Sequence, residues 1–190
     1  IVERYADSNK KDINENSIFE AKANDILENS KLEFNYNSDG TIHSVIESHN
    51  NGEKIITHFY DNTNEENYKN KVKFNFHLDS HGYLKRANKL DEQTQSITNW
   101  YHYYPETEYG DHAENILFIF EVNQKGELSR ATKREQGTQR VLNWYHYYPE
   151  TKYGSHANNI LYVFELNKKG ELSRATKREQ GTQRVLNWYH

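Results

Sequence analysis

The amino-acid sequence predicts an all-β tandem repeat. A three-stranded antiparallel meander recurs about every 44 residues, forms an elongated sheet or β-spiral, and is preceded by a short N-terminal helix. Three observations predict this. Residues 125–146 (KGELSRATKREQGTQRVLNWYH) recur without change as residues 169–190, 44 positions later. Gly40, Gly82, Gly126 and Gly170 lie 42, 44 and 44 apart, each six residues after an aromatic: Phe34, Phe76, Phe120 and Phe164. Within every copy, runs of β-branched and aromatic residues alternate with Gly-containing turns. A closed β-propeller is the alternative, because a copy of this length suits one blade; three strands per copy count against it.

The array divides into copies 30–71, 72–115, 116–159 and a partial 160–190. Residues 99–124 match 143–168 with 7 changes in 26 positions. The third copy shows the elements most plainly. Residues 115–122 (NILFIFEV) are β-branched and aromatic and read as strand A. Asn123-Gln124-Lys125-Gly126 is a turn, with Asn to open it and Gly to take a positive φ. Residues 127–134 form strand B, Gln136-Gly137-Thr138 a second turn, and residues 139–148 strand C. Pro149 stops strand C, since proline has no N–H to give a ladder. Strand A is apolar on both faces and is expected at the centre of each unit, with strands B and C outward or one-sided.

Residues 1–29 differ. Ile1-Val2-Glu3-Arg4-Tyr5 reads as the end of an earlier copy. Residues 12–29 read as a short helix: Ser17 and Glu20 fit a capping box, while Ile18, Phe19, Ala23, Ile26 and Leu27 fall at helical spacing. Such a helix would blunt the end of the sheet. The chain begins without Met and ends within a copy, so a fragment of a longer protein is expected.

Composition narrows the function classes. The net charge is −4, with 14 acids against 7 bases in residues 1–70 and 14 against 17 in residues 71–190. No strong basic excess marks a nucleic-acid binder. Mean hydropathy is −1.12, yet 14% of residues are aromatic. Disordered chains are poor in aromatics, so a thin fold covered by Tyr, Trp and the stems of Lys and Arg is expected. There are no Cys residues, which removes disulfides and thiolate chemistry. No apolar run of membrane-spanning length is present.

Residues 36–61 (YNSDGTIHSVIESHNNGEKIITHFYD) carry Tyr36, Gly40, Ile42, Val45, Gly52, Phe59, Tyr60 and Asp61. This pattern resembles the YD repeat of Rhs-type proteins. The resemblance covers one copy; later copies end in Trp-Tyr-His-Tyr-Tyr instead of Tyr-Asp. It implies a spiral β sheet that forms a toxin shell or an extracellular surface, and it implies no catalytic residues. The Trp- and Tyr-rich strands are also similar to aromatic repeats of bacterial cell-wall and glucan-binding modules, without their Gly-Trp signature.

The Trp-Tyr-His-Tyr-Tyr strand is the most unusual chemical feature. Strand neighbours alternate faces, so its rings reach both sides of a sheet. Trp100, Tyr101, Tyr103, Tyr104, Trp144, Tyr145, Tyr147 and Tyr148 are therefore the candidate ligand-binding residues, able to stack on a glycan or an extracellular host protein. The competing expectation is that they cover a thin sheet, helped by Arg130, Arg134 and Arg140. His112 lies among Glu106, Glu108, Asp111 and Glu114, a grouping that could hold a cation. The next copy replaces three of those acids with Lys152, Ser155 and Asn158, so no metal or other cofactor is expected. No phosphate loop, dinucleotide fingerprint or nucleophile elbow occurs, and no enzyme activity is expected. The expected function is a ligand-binding or spacer segment of a large bacterial surface or secreted protein, whose nearest partners are its own flanking repeats. Nucleic-acid binding and membrane insertion are not expected. The rival is a shell segment of a YD-type toxin, which requires many more copies and a toxin domain.

Overall fold

The computed structural model describes residues 30–189; the expected capping helix and the expected end of an earlier copy at residues 1–5 lie outside them. The first copy contributes β1 (Ser30–Tyr36), β2 (Ile42–His49) and β3 (Lys54–Phe59). The second contributes β4 (Val72–Leu78), β5 (Leu84–Leu90) and β6 (Ile97–Tyr103). The third contributes β7 (Ile116–Val122), β8 (Leu128–Arg134) and β9 (Val141–Tyr147), and the partial fourth β10 (Ile160–Leu166), β11 (Leu172–Arg178) and β12 (Val185–Tyr189). All twelve belong to one antiparallel sheet in strict chain order. The sheet is an open meander, not a propeller. Short 3-10 turns at Tyr68–Asn70, Tyr109–Glu114 and Tyr153–Asn158 join each strand C to the next strand A.

The turns follow from local chemistry. Between β7 and β8, the Gly126 N–H donates to the Asn123 carbonyl at 2.9 Å, with Gly126 at φ 71°. The Asn123 side-chain oxygen accepts from the N–H groups of Lys125 and Glu127 at 2.9 and 3.0 Å. The ladder shifts register beside it, between Glu121 and Val122, as a glycine bulge requires. Between β8 and β9, Gln139 takes a positive φ of 55°. That conformation costs an L-residue roughly 1–2 kcal/mol. It is offset where the Gln139 amide donates to the carbonyl of Glu114 at 2.7 Å and of Ile116 at 3.2 Å.

The pairing register carries the main architectural result. Residues opposite one another in a ladder point to the same face. On one face the cross-strand row runs Phe76, Ala87, Tyr101, Ile119, Thr132, Trp144, Phe164, Ala175, Tyr189. On the other it runs Asn75, Asn88, Trp100, Phe120, Ala131, Tyr145, Val163, Thr176, Trp188. Equivalent residues of successive copies therefore fall on opposite faces: Phe76 and Phe164 share one, Phe120 takes the other. Three strands are an odd number, so each copy starts in the reverse direction from the last. With L-residues that reversal is a half-turn about the stacking axis, which exchanges the two faces.

The hydrophobic clusters alternate accordingly. One face carries Phe34, Ile42, Val45 and Phe59 around Tyr68, and further along Phe120, Leu128, Ala131 and Tyr147 around Tyr153. The opposite face carries Ile56, Phe76, Leu78, Leu84, Ala87 and Tyr103 around Tyr109. This corrects the expectation that strand A is central and strand B outward. β5 and β8 lie mid-unit, and their Leu84, Ala87, Leu128 and Ala131 are buried: the turns that bond the Leu84 and Leu128 N–H groups cover the leucines, and the small alanines sit beneath the neighbouring rings. Ala131 is fully buried between Phe120 and Tyr145. The variant Ala131→Leu will therefore overpack this layer and cost about 1–3 kcal/mol. Urea denaturation monitored by tryptophan fluorescence will show it as a lower midpoint.

Candidate functional site

The rings of the Trp-Tyr-His-Tyr-Tyr strands form the candidate site, and each can be placed. Tyr103 and Tyr147 are buried. Burial and the neighbouring Tyr101 and Tyr145, respectively, push their hydroxyl pKa values well above the ordinary range. Tyr101 and Tyr145 are half-buried and pack on Phe74 and Phe118 at ring distances of 6.1 and 5.9 Å. Tyr104 and Tyr148 reach forward into the next copy, where their hydroxyls donate to the carbonyls of Arg134 at 2.8 Å and Arg178 at 2.7 Å. Tyr60 does the same to Leu90 at 2.7 Å. Trp100 is half-buried, whereas Trp144 is 37% exposed. The structure thus brings Trp100, Tyr104 and Tyr148 into contact with the following copy and leaves Trp144 exposed, and Trp100 and Trp144 lie on opposite faces.

What covers Trp100 is the turn from the following copy. Tyr153 stacks on Trp100 with ring centroids 4.7 Å apart and planes at 19°, while Arg86 lies over the same indole at 5.5 Å. The Tyr153 hydroxyl pairs with His102 Nε2. Its ring meets Phe120 edge-on at 5.4 Å, and His156 meets Phe120 at 4.9 Å. His156 stacks on Tyr153, and its Nδ1 donates to the Tyr153 carbonyl at 2.6 Å. On the other face the Tyr109 turn repeats this. Tyr109 pairs with His58, packs edge-on against Phe76 at 5.2 Å and stacks on His112. The histidine that the sequence places in a cation-holding group is thus an aromatic packing residue. Among the described residues no three His, Asp or Glu side chains come together to hold a metal ion.

A threonine latch secures each turn. Thr63, Thr107 and Thr151 are buried. Their hydroxyls donate to the carbonyls of Tyr60, Tyr104 and Tyr148 at 2.6, 2.6 and 2.7 Å. Their carbonyls accept from the N–H groups of Ile42, Leu84 and Leu128, each at 2.8 Å. The latch places the turn over the first residue of strand B and buries that residue. Sequence reading missed Thr107, Thr151, Tyr109 and Tyr153. The signal was present as the same 44-residue spacing, Thr63 to Thr107 to Thr151, but a buried threonine in a polar loop has no local pattern.

The histidines give this packing a pH dependence. Burial lowers the pKa of His58, aided by His43, His112 and Lys73. Burial also lowers that of His102, aided by His156 and Arg86. A base whose pKa is lower in the folded state takes up its proton later than the unfolded chain does. Stability is therefore full above the ordinary value of 6.5 and is lost as pH falls through it toward the folded-state value. Thermal unfolding followed from about pH 7.5 to about pH 5.5 will show a falling Tm, and His102→Gln will flatten that slope. At the upper pH, Tyr153→Ala will uncover Trp100 and cost about 2–4 kcal/mol, read as a red-shifted emission and a lower urea midpoint.

Among the described residues no helix is long and apolar enough to cross a membrane. No family model matches the chain, and no curated protein matches it. Similar solved structures include a point mutant of TarM from S. aureus in complex with fondaparinux, alpha-GlcNAc-glycerol and UDP. It is 14% identical with a TM-score of 0.41, covering 74% of this chain and 27% of that one. A second TarM structure is 14% identical with a TM-score of 0.40, covering 74% and 26%. The chain spans about a quarter of the length of these proteins, and at such TM-scores the likeness carries no argument about what the chain does.

Proposed function

We propose that the chain is a non-enzymatic repeat segment serving as a stiff spacer within a larger surface or secreted protein. The observation that carries this reading is the use of the unusual aromatic side chains as joints between copies. Tyr104, Tyr148 and Trp100 each bond to or stack on the neighbouring copy, so three of the candidate platform rings fasten one unit to the next. A solenoid built from such nearest-neighbour joints resists bending and lengthens in proportion to its copy number. Twelve strands at about 4.8 Å each make a rod about 50 Å long, and each full copy adds about 14 Å.

Exposed Trp144, Trp188 and Tyr189 favour one second reading, glycan binding at these rings. Tyr148 is unsuitable for testing it, because its hydroxyl holds Arg178. Trp144→Ala alone leaves the joints intact and is the discriminating variant. Small-angle scattering of the chain will give a maximum dimension that matches the extended sheet, and a glycan array will show the same profile for the chain and for Trp144→Ala. A compact scattering profile would sink the spacer reading. A glycan signal lost in the variant would replace it with the binding one.

A further inference from the structure

One cross-strand position holds a matched pair of side chains in every copy but the second. In the third copy Glu121 of β7 lies opposite Arg130 of β8, and the guanidinium bonds the carboxylate through Nε at 3.1 Å and Nη2 at 2.6 Å. In the fourth, Glu165 lies opposite Arg174 and the two form an ion pair. In the first, Asn35 and Ser44 face each other and hydrogen bond at 3.3 Å. The second copy keeps the arginine, Arg86, and puts His77 where the carboxylate stands in the later copies.

Arg86 is therefore a cation without a counter-charge. It is exposed, its guanidinium lies over the Trp100 indole at 5.5 Å, and among the described residues no carboxylate pairs with it. The nearby Glu53 is engaged by Lys85 at 3.0 Å. Arg86 in turn faces His102 of β6, so His77, Arg86 and His102 stand side by side on three successive strands of one face, about 5 Å from one to the next. His102 is taken by the Tyr153 hydroxyl; His77 is half-buried at the open end of the row. Burial lowers the His77 pKa and Arg86 adds to that, while the Asn88 side chain and Glu53 act the other way. The adjoining row is polar on the same strands. Thr57, Asn75 and Asn88 follow one another, and the Thr57 hydroxyl donates to Asn75 Oδ1 at 2.9 Å. Their equivalents one copy on are Tyr101, Ile119 and Thr132. The departure from the repeat thus covers a continuous patch and fills it with donors.

We propose that His77 and Arg86, on the face that also carries Trp100, form a binding site for a tetrahedral oxyanion, phosphate or sulfate, free or as an ester. The anion takes the place that the glutamate carboxylate holds in the third and fourth copies, bonded by the Arg86 guanidinium on one side and the His77 ring on the other. Phosphate and sulfate present oxygens in diverging directions, which suits donors on two separate strands, and charge-assisted bonds from a guanidinium are strong and directional. Contact with the Trp100 indole restricts the guanidinium before a ligand arrives. For an ester, Thr57 and Asn75 lie in the next row to meet hydroxyls of its alcohol part. The site and the spacer role stand or fall separately.

The test follows the histidine ring signals of the full chain by NMR at about pH 6.5, as sodium phosphate, sodium sulfate or glucose 6-phosphate replaces sodium chloride at constant ionic strength. Saturable shifts at His77, and at His102 beside Arg86, are expected. The His77 pKa will rise by about half a unit or more, because an anion that favours the protonated ring is favoured by it in return. His146, which faces Arg130 beside Glu121, is the internal reference and will show no saturable shift. His77→Glu recreates the pair of the later copies and will abolish the response at His102. Arg86→Gln will weaken binding about 10-fold or more, and both variants will keep the far-UV circular dichroism of the parent. Equal affinity for phosphate and glucose 6-phosphate supports the site with the free ion as ligand. Tighter binding of the ester, lost in Asn75→Ala, supports it with the ester as ligand. Absence of a saturable His77 shift up to about 100 mM anion overturns the proposal. So does a shift shared equally by all exposed histidines, or undiminished binding by His77→Glu.

Discussion

An odd number of strands, combined with the single handedness of L-amino acids, sets the form of this molecule. A unit of three antiparallel strands ends pointing opposite to where it began. The next unit keeps the stacking direction and reverses the strand direction, and only a half-rotation about the stacking axis does both without changing chirality. Phe76, Phe120 and Phe164 obey it, falling alternately on the two faces of one sheet. Everything else accommodates this alternation. A turn that covers one face must reach across more than its own unit, because the next turn lies on the other side.

The covering turns show how a single-layer sheet with a mean hydropathy of −1.12 acquires a core. Each is a few residues long and buries its share of surface through aromatic rings rather than aliphatic bulk. Tyr109 and Tyr153 carry a large apolar ring and a polar tip, so one residue both fills the space above Phe76 or Phe120 and pairs with a histidine of the preceding unit. The backbone of the turn is satisfied by the threonine latch. Thin folds of this kind need few leucines, and the buried alanines of β5 and β8 are what allow the rings to lie close to the sheet.

Much of this was legible from residues alone. The repeat, the antiparallel meander and the strand positions followed from identity at 44-residue spacing, β-branched runs and Asn-x-x-Gly turns. The observed β7, β8 and β9 fall within the strands read from residues 115–122, 127–134 and 139–148. Two things were not legible. Strand B looked outward because it is rich in Lys and Arg, but its Leu128, Ala131 and Thr132 are buried. The roles of Trp100, Tyr104 and Tyr148 depend on partners 53, 30 and 30 residues away. No local pattern announces such contacts, since they exist only once the sheet has set which strands are neighbours.

The half-turn between units bears on how such genes change length. Adding or removing a single unit would break none of the joints, because every joint involves only adjacent units. It would nevertheless rotate everything downstream by half a revolution about the long axis, carrying any feature there from one side of the rod to the other. Only gains or losses in pairs would preserve azimuth. Near-identical adjacent units, of the sort seen at residues 103–146 and 147–190, are therefore interchangeable in length but not in orientation.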